Sequence, residues 1–194
     1  MHSLWTLFLL LASTPFWEAK PPQQWSNSDL DLLFQNSPWA QTALLTSRVG
    51  GEPQVFAYLA SAKLMQEAEE ERRVRRKRKT DPVAEEYATW AADNLGKYIV
   101  LAVHVPVSFT FTDEGESKRM EKETALRIGR TRYPAVLHFL PSSTDEHLRF
   151  VFPRQVPDSA KKLSFEFYVP SIAGPYREVE FILKDLVYKG VPSY

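Results

Sequence analysis

Residues 61–97 read SAKLMQEAEEERRVRRKRKTDPVAEEYATWAADNLGK, the longest stretch with helical character and the densest in charge. Leu64, Met65 and Ala68 fall on one helical face, and beyond Ala68 only Val74 continues it. The acidic part, Glu67 to Glu71, and the basic part that follows are therefore expected to project into water. Thr80-Asp81-Pro82 restarts the helix, with Asp81 as N-cap and Pro82 at the first helical position. Val83, Tyr87, Trp90, Ala91 and Leu95 then recur at i, i+4, i+7, i+8 and i+12, and Gly96 suits the C-cap. This reading makes the second half a core helix that organises the fold and the first half a charged arm.

Segments of β character flank the helical stretch. Before it, Ser26 or Ser28 caps a short helix carrying Leu30, Leu33 and Phe34, and Asn36-Ser37-Pro38 ends it. Thr42 to Ser47 and Gln54 to Leu59 read as strands on either side of Gly50-Gly51. After it, Tyr98 to Val105 is an almost unbroken apolar run, the mark of a strand buried on both faces. Val107, Phe109 and Phe111 alternate with polar residues, as a continuation or hairpin arm. Ser117 to Ile128 reads as a short helix closed by Gly129. From Tyr133 the chain is β-rich, with strands around Ala135–Leu140, Leu148–Phe152, Leu163–Val169 and Val179–Leu183. The alternation slips phase at Lys184-Asp185, which a bulge would explain.

The expected fold is α+β: a mostly antiparallel sheet of about seven strands with a long helical segment packed on one side. A β-sandwich with a helical insertion is the alternative. Trp25, Trp39 and Trp90 read as core rather than as a carbohydrate platform.

Composition narrows the function classes. The chain has 194 residues, 44% hydrophobic and 25% charged, with 24 basic and 24 acidic side chains. Such a balance suits a globular domain and argues against a dedicated polyanion binder. No cysteine is present, which removes disulfides, thiolate nucleophiles and Cys-ligated metal centres. Leu4 to Ala12 is apolar and too short to span a bilayer. With small residues at Ala12, Ser13 and Ala19, residues 1–19 are expected to be a signal peptide and 20–194 a single domain.

Three local patterns resemble an uncharacterised family of small secreted bacterial proteins with no assigned function. They are Ser37-Pro38-Trp39-Ala40, the strand end Phe150-Val151-Phe152-Pro153-Arg154, and the C-terminal run from Phe181 to Gly190. The resemblance implies export and one domain, and it transfers no functional residue.

Chemistry-bearing motifs are sparse. There is no Gly-x-Ser-x-Gly elbow, phosphate loop or HExxH pair. His104 and His138 lie on apolar strands that could be neighbours, which would allow zinc binding with a carboxylate; satisfied sheet histidines are the favoured reading. Glu178 and Glu180 share a strand face, with Glu166 near them, as paired glycosidase carboxylates or any wet strand would show. No cofactor or metal is expected. The candidate binding residues are the basic run Arg72, Arg73, Arg75, Arg76, Lys77, Arg78 and Lys79. It would meet a lipid or acidic envelope surface, be cut by a basic-specific protease, or form a solvated helix end, the last favoured because glutamates precede it. Nucleic acid is disfavoured, since no aromatics interleave. The expected function is an exported non-enzymatic binding or structural protein of the periplasm or cell envelope. The alternatives are polyanion or membrane-surface binding through residues 72–79, and a cryptic hydrolase using His104 or His138.

Overall fold

The computed structural model describes residues 14–45, 54–76, 81–105, 114–170, 172 and 174–194. In chain order the principal elements are α1 (Phe16–Ala19), α2 (Asn27–Gln35), β1 (Ala40–Leu45), β2 (Val55–Leu59), α3 (Lys63–Arg76), α4 (Pro82–Asn94) and β3 (Tyr98–His104). They continue with α5 (Glu114–Glu123), β4 (Ala125–Ile128), β5 (Thr131–Pro134), β6 (Leu137–Phe139), β7 (His147–Pro153), β8 (Lys162–Tyr168) and β9 (Tyr176–Ile182). A small hairpin, β10 (Val187–Tyr188) and β11 (Val191–Pro192), ends the chain.

The local signals explain several boundaries. Ser26 opens α2 with a capping box: its hydroxyl accepts from the Asp29 amide at 3.0 Å, and the Asp29 carboxylate accepts from the Ser26 amide at 2.8 Å. Asp81 caps α4 by accepting from the Val83 amide at 3.0 Å. The phase slip near Lys184 is a 3-10 turn, Leu183–Asp185, which ends β9 and sends the chain into the terminal hairpin.

Nine strands form one antiparallel sheet in the order β5-β4-β8-β9-β1-β2-β3-β7-β6. Two features curl it. Strand β1 changes partner along its length: Ala40 to Ala43 pair with β2, while Leu44 and Leu45 pair with β9. The two edge strands, β5 and β6, are consecutive in the chain. Between them the Ala135 amide donates to the Thr124 carbonyl next to β4, and the Val136 amide donates to the Val151 carbonyl on β7. The result is a curled half-barrel whose edges are tied by the chain itself, so neither is left long and open.

The curl brings β7 over β8, which are far apart in strand order. Their phenylalanines meet inside it: Phe152 and Phe165 have ring centroids 5.2 Å apart, and Phe150 and Phe167 6.2 Å. The outer faces differ between the two halves. Beyond β8 and β9 lies water, and those strands alternate apolar-in, polar-out. Over β3 and β7 lie helices, so both strands are buried through their middle residues on both faces. This is why one half reads as alternation and the other as unbroken apolar runs.

The expected fold needs correction. Among the described residues the sheet has nine strands rather than about seven, and no long helical segment lies along one side. The longest helix among the described residues is α3, with 14 residues. The extra strands are β4, from residues expected to be helix, and β5, which pairs with it. Ala125, Leu126 and Ile128 suit either period, but Gly129 at φ 61° makes a tight turn into Thr131 and produces a hairpin. The sandwich alternative fails because β1 belongs to both halves. The weighting within the helical stretch also reverses. Leu64, Met65 and Ala68 of α3 are fully buried, whereas α4 buries only Tyr87 and leaves Trp90 half-buried. Trp25 and Trp39 lie in the core, as expected. The expected strand at Val107, Phe109 and Phe111 lies outside the described residues.

The Phe150, Phe152, Phe165 and Phe167 cluster should be the most sensitive part of the fold. Phe152→Ala is expected to lower the unfolding free energy by about 3–5 kcal/mol in urea titrations. Exposed Val191→Thr should change it by no more than about 0.5 kcal/mol.

Candidate ligand cleft

Directly opposed residues on neighbouring strands share a face, so register alone places the site. Tyr58 on β2 faces Ala102 on β3, Ala102 faces Arg149 on β7, and Arg149 faces Phe139 on β6. This row lies on the helix-covered side. The small Ala102 leaves room between the phenol and the guanidinium, and α3 supplies Glu69 there.

Arg149 is almost completely buried, and its charge is answered on both sides. Nη2 donates to Glu69 Oε1 at 3.0 Å and Nη1 to Asp145 Oδ2 at 2.6 Å. The same Glu69 oxygen accepts the Tyr58 hydroxyl at 2.6 Å. The other Asp145 oxygen lies 2.7 Å from His147 Nδ1. From α4, the Tyr87 ring stacks under the guanidinium, with Cζ 4.0 Å from its centroid. One arginine thus joins β2, β7, α3 and α4.

These contacts set the ionisation states. Burial alone would raise the Asp145 carboxyl, but the hydrogen bond with His147 and the charge of Arg149 outweigh it and hold it far below the usual range. For Arg149 burial opposes the charge, and Glu69 leads the partners that outweigh burial and keep it ionised. Burial, followed by the Glu69 carboxylate, pushes the Tyr58 and Tyr87 phenols upward, so both stay protonated.

The row opens into a cleft of about 1400 Å³ between α3 and α4. Arg149 and His147 are in its floor, Glu69 and Arg72 in one wall, and Tyr87 and Ala88 in the other. Asp81 holds the α4 wall by accepting from the Thr144 hydroxyl, next to Asp145. At the far end are Arg154 and Tyr194. The tail bearing Tyr194 is itself tied in: the Lys63 amide donates to the Ser193 hydroxyl at 2.8 Å, and Trp39 Nε1 to the Ser193 carbonyl at 2.6 Å.

The basic run divides between described and undescribed residues. Arg72 lies over the Phe34 ring at 3.9 Å and bonds Asp31 at 3.0 Å. Arg73 is bidentate to Glu70 at 2.7 and 2.8 Å, and Arg75 bonds Glu71 at 3.1 Å and Asn27 at 3.2 Å. Arg76 borders the cleft. Lys77, Arg78 and Lys79 lie outside the described residues.

The histidines group differently from the sequence reading. His104 faces His147 across β3 and β7, with ring centroids 5.6 Å apart, and not His138. His138 sits on β6 with Nδ1 2.8 Å from Glu121 on α5. Burial, and then the neighbouring His147, lower the His104 pKa, while Glu146 acts against them. Among the described residues, no three His, Asp or Glu side chains are arranged to hold a metal ion. Glu166 and Glu178 are opposed on the wet face of β8 and β9, and Glu166 and Glu180 are engaged by Arg127 and Lys162. They form a surface ion-pair ladder. In the sequence Arg149 is one residue of the Leu148–Phe152 strand, and its one signal is a charge between apolar neighbours.

Neither a protein family nor a characterised protein matches the chain. One solved structure, described as a novel protein of unknown function from Burkholderia pseudomallei, is similar over 79% of this chain and 81% of that one. The identity is 11% and the TM-score 0.42, a likeness too distant to carry fold or function. Among the described residues, no helix is long and apolar enough to cross a membrane.

Arg149→Met would leave the partly buried Glu69 and Asp145 without their cation, and is expected to cost about 3 kcal/mol of stability. The pH dependence has a defined sign. Asp145 has a folded pKa below its unfolded value of about 3.9, so its contribution is complete above that value and is lost as the pH falls from there through the folded pKa. The urea midpoint should therefore fall steeply below about pH 4, and Asp145→Asn should blunt that fall.

Proposed function

We propose that this chain is an exported, non-enzymatic binding protein of the periplasm or cell envelope, and that its ligand seats in the cleft between α3 and α4. The observation that carries the reading is the cleft floor. Arg149 is held between Glu69 and Asp145 and stacked on Tyr87, so the polar surface is rigid before any ligand arrives. Preorganised polar groups under an open volume favour binding, because little ordering is left for the ligand to impose. The volume exceeds that of most drug-sized sites and would suit a larger metabolite or a short peptide segment. Export rests on the short apolar segment Leu4 to Ala12 and the small residues after it.

A specific geometry favours one second reading. Asp145 holds His147 by Nδ1 in the manner of a carboxylate orienting a general base, and His147 borders the cleft. In that reading the cleft processes its ligand, with His147 in place of the His104 or His138 expected from sequence.

A thermal-shift screen of small metabolites and short peptides tests the cleft. A true ligand should raise Tm for the native chain and lose the effect in Ala88→Trp, which fills the cleft from an exposed position on α4. If every stabilising compound acts equally on both proteins, the cleft is not the site. Turnover of a bound compound that is lost in His147→Ala would replace the binding reading with the enzymatic one. Cell fractionation tests export: protein retained in the cytoplasm would refute it.

A further inference from the structure

The floor of the cleft is electrically closed, but its far end is not. Arg154 follows β7, and its guanidinium is pinned by backbone rather than by acid. Nη2 donates to the Leu95 carbonyl at 3.1 Å and to the Tyr98 carbonyl at 2.9 Å. No carboxylate of a described residue lies within ion-pair distance, and Nε is buried without an acceptor among the described residues. The neighbouring aromatic is Tyr194, with its ring centroid 5.6 Å from Cζ. Two further residues that border the same cleft carry a buried donor without an acceptor among the described residues: Arg149 at Nε and Tyr87 at its hydroxyl. Buried donors are ordinarily satisfied, and a half-buried guanidinium ordinarily has a counter-charge. Here all three residues border one volume, and Arg154 is the one of them whose charge no acid answers among the described residues.

We infer that Arg154 anchors an anionic group of the cleft's ligand, a carboxylate or a phosphate. This rests on the cleft being the binding site. The acids that border the cleft do not cancel the anchor. Glu69 and Asp145 are committed to Arg149, Glu70 to Arg73, and Asp81 to Val83 and Thr144, while Glu85 and Asp93 form no ion pair with Arg154. The two carbonyl bonds hold the Arg154 side chain in place, so an anion meets a fixed donor rather than a mobile surface arginine.

The test is an NMR titration of the ¹⁵N-labelled chain, following the Arg154 Nε–H signal assigned by its loss in Arg154→Met. Inorganic phosphate and succinate are the two probes, and succinamide is the neutral control. The expected result is a saturable shift with phosphate or succinate, weakened by added salt and absent with succinamide. Whichever anion gives the tighter shift identifies the ligand group as phosphate or carboxylate. Arg154→Lys, which keeps the charge but not the fork, should weaken binding by roughly 10-fold. No saturable shift below about 10 mM anion at low ionic strength would overturn the inference, as would equal binding by Arg154→Met that has retained its fold. A compound that binds in an Ala88-dependent, Arg154-independent way would also overturn it while leaving the cleft as the site. Absence of any Ala88-dependent compound would remove the cleft reading itself.

Discussion

A single buried guanidinium connects the parts of this protein that the backbone alone would leave loosely joined. Arg149 sits on β7, next to the edge strand β6, bonds an acid from α3 and an acid from the preceding loop, and stacks on an aromatic ring from α4. Helix α4 has little other purchase. Tyr87 is its one fully buried side chain, supported by ring contacts of Tyr87 and Trp90 with Phe139. A buried ion pair contributes little net stability, because desolvation offsets most of its attraction. Its effect here is geometric. It specifies where the two helices stand on the sheet, and thereby the width of the space between them.

The sheet beneath depends on curvature. An antiparallel sheet of nine strands would expose two edges if it lay open. Strand β1 turns the corner by exchanging β2 for β9, and Ala135 and Val136 join the opposite edges through amides that bond to either side. The phenylalanines of β7 and β8 fill the space so enclosed. Because that interior takes one face of every central strand, the second face of β3 and β7 is available to the helices, and the polar row from Tyr58 to Arg149 lies there.

Much of the local structure was legible in the residues. Ser26 and Asp81 behave as the caps their side chains and positions imply, the apolar run from Tyr98 is a doubly covered strand, and β8 and β9 alternate as half-wet strands do. Where reading failed, two periods competed. Ala125, Leu126 and Ile128 satisfy both a helix and a strand, and the choice fell to Gly129 and to pairing with β8, which is remote in sequence. The amphipathic face of α4 overstated its burial, since periodicity records which side is apolar and not how closely anything packs on it. The candidate site was less legible still. A lone arginine in Arg149-Phe150-Val151 carries no local mark of its partners, and the histidine opposite His104 is decided by strand register.

Composition, caps and periodicity determined that this is a cysteine-free chain of mixed helices and strands with charged residues gathered after Ala68, because those properties arise from neighbours within a few residues. Only the tertiary structure decided which strands meet, that the sheet curls, and that Glu69, Tyr87 and the Asp145–Arg149 stretch come together from three separate segments. Contacts of that kind depend on distant parts of the chain reaching a common place. The helical stretch at residues 61–97 shows the difference: its division at Asp81-Pro82 is local, while the cleft between its halves exists only because the sheet holds them apart.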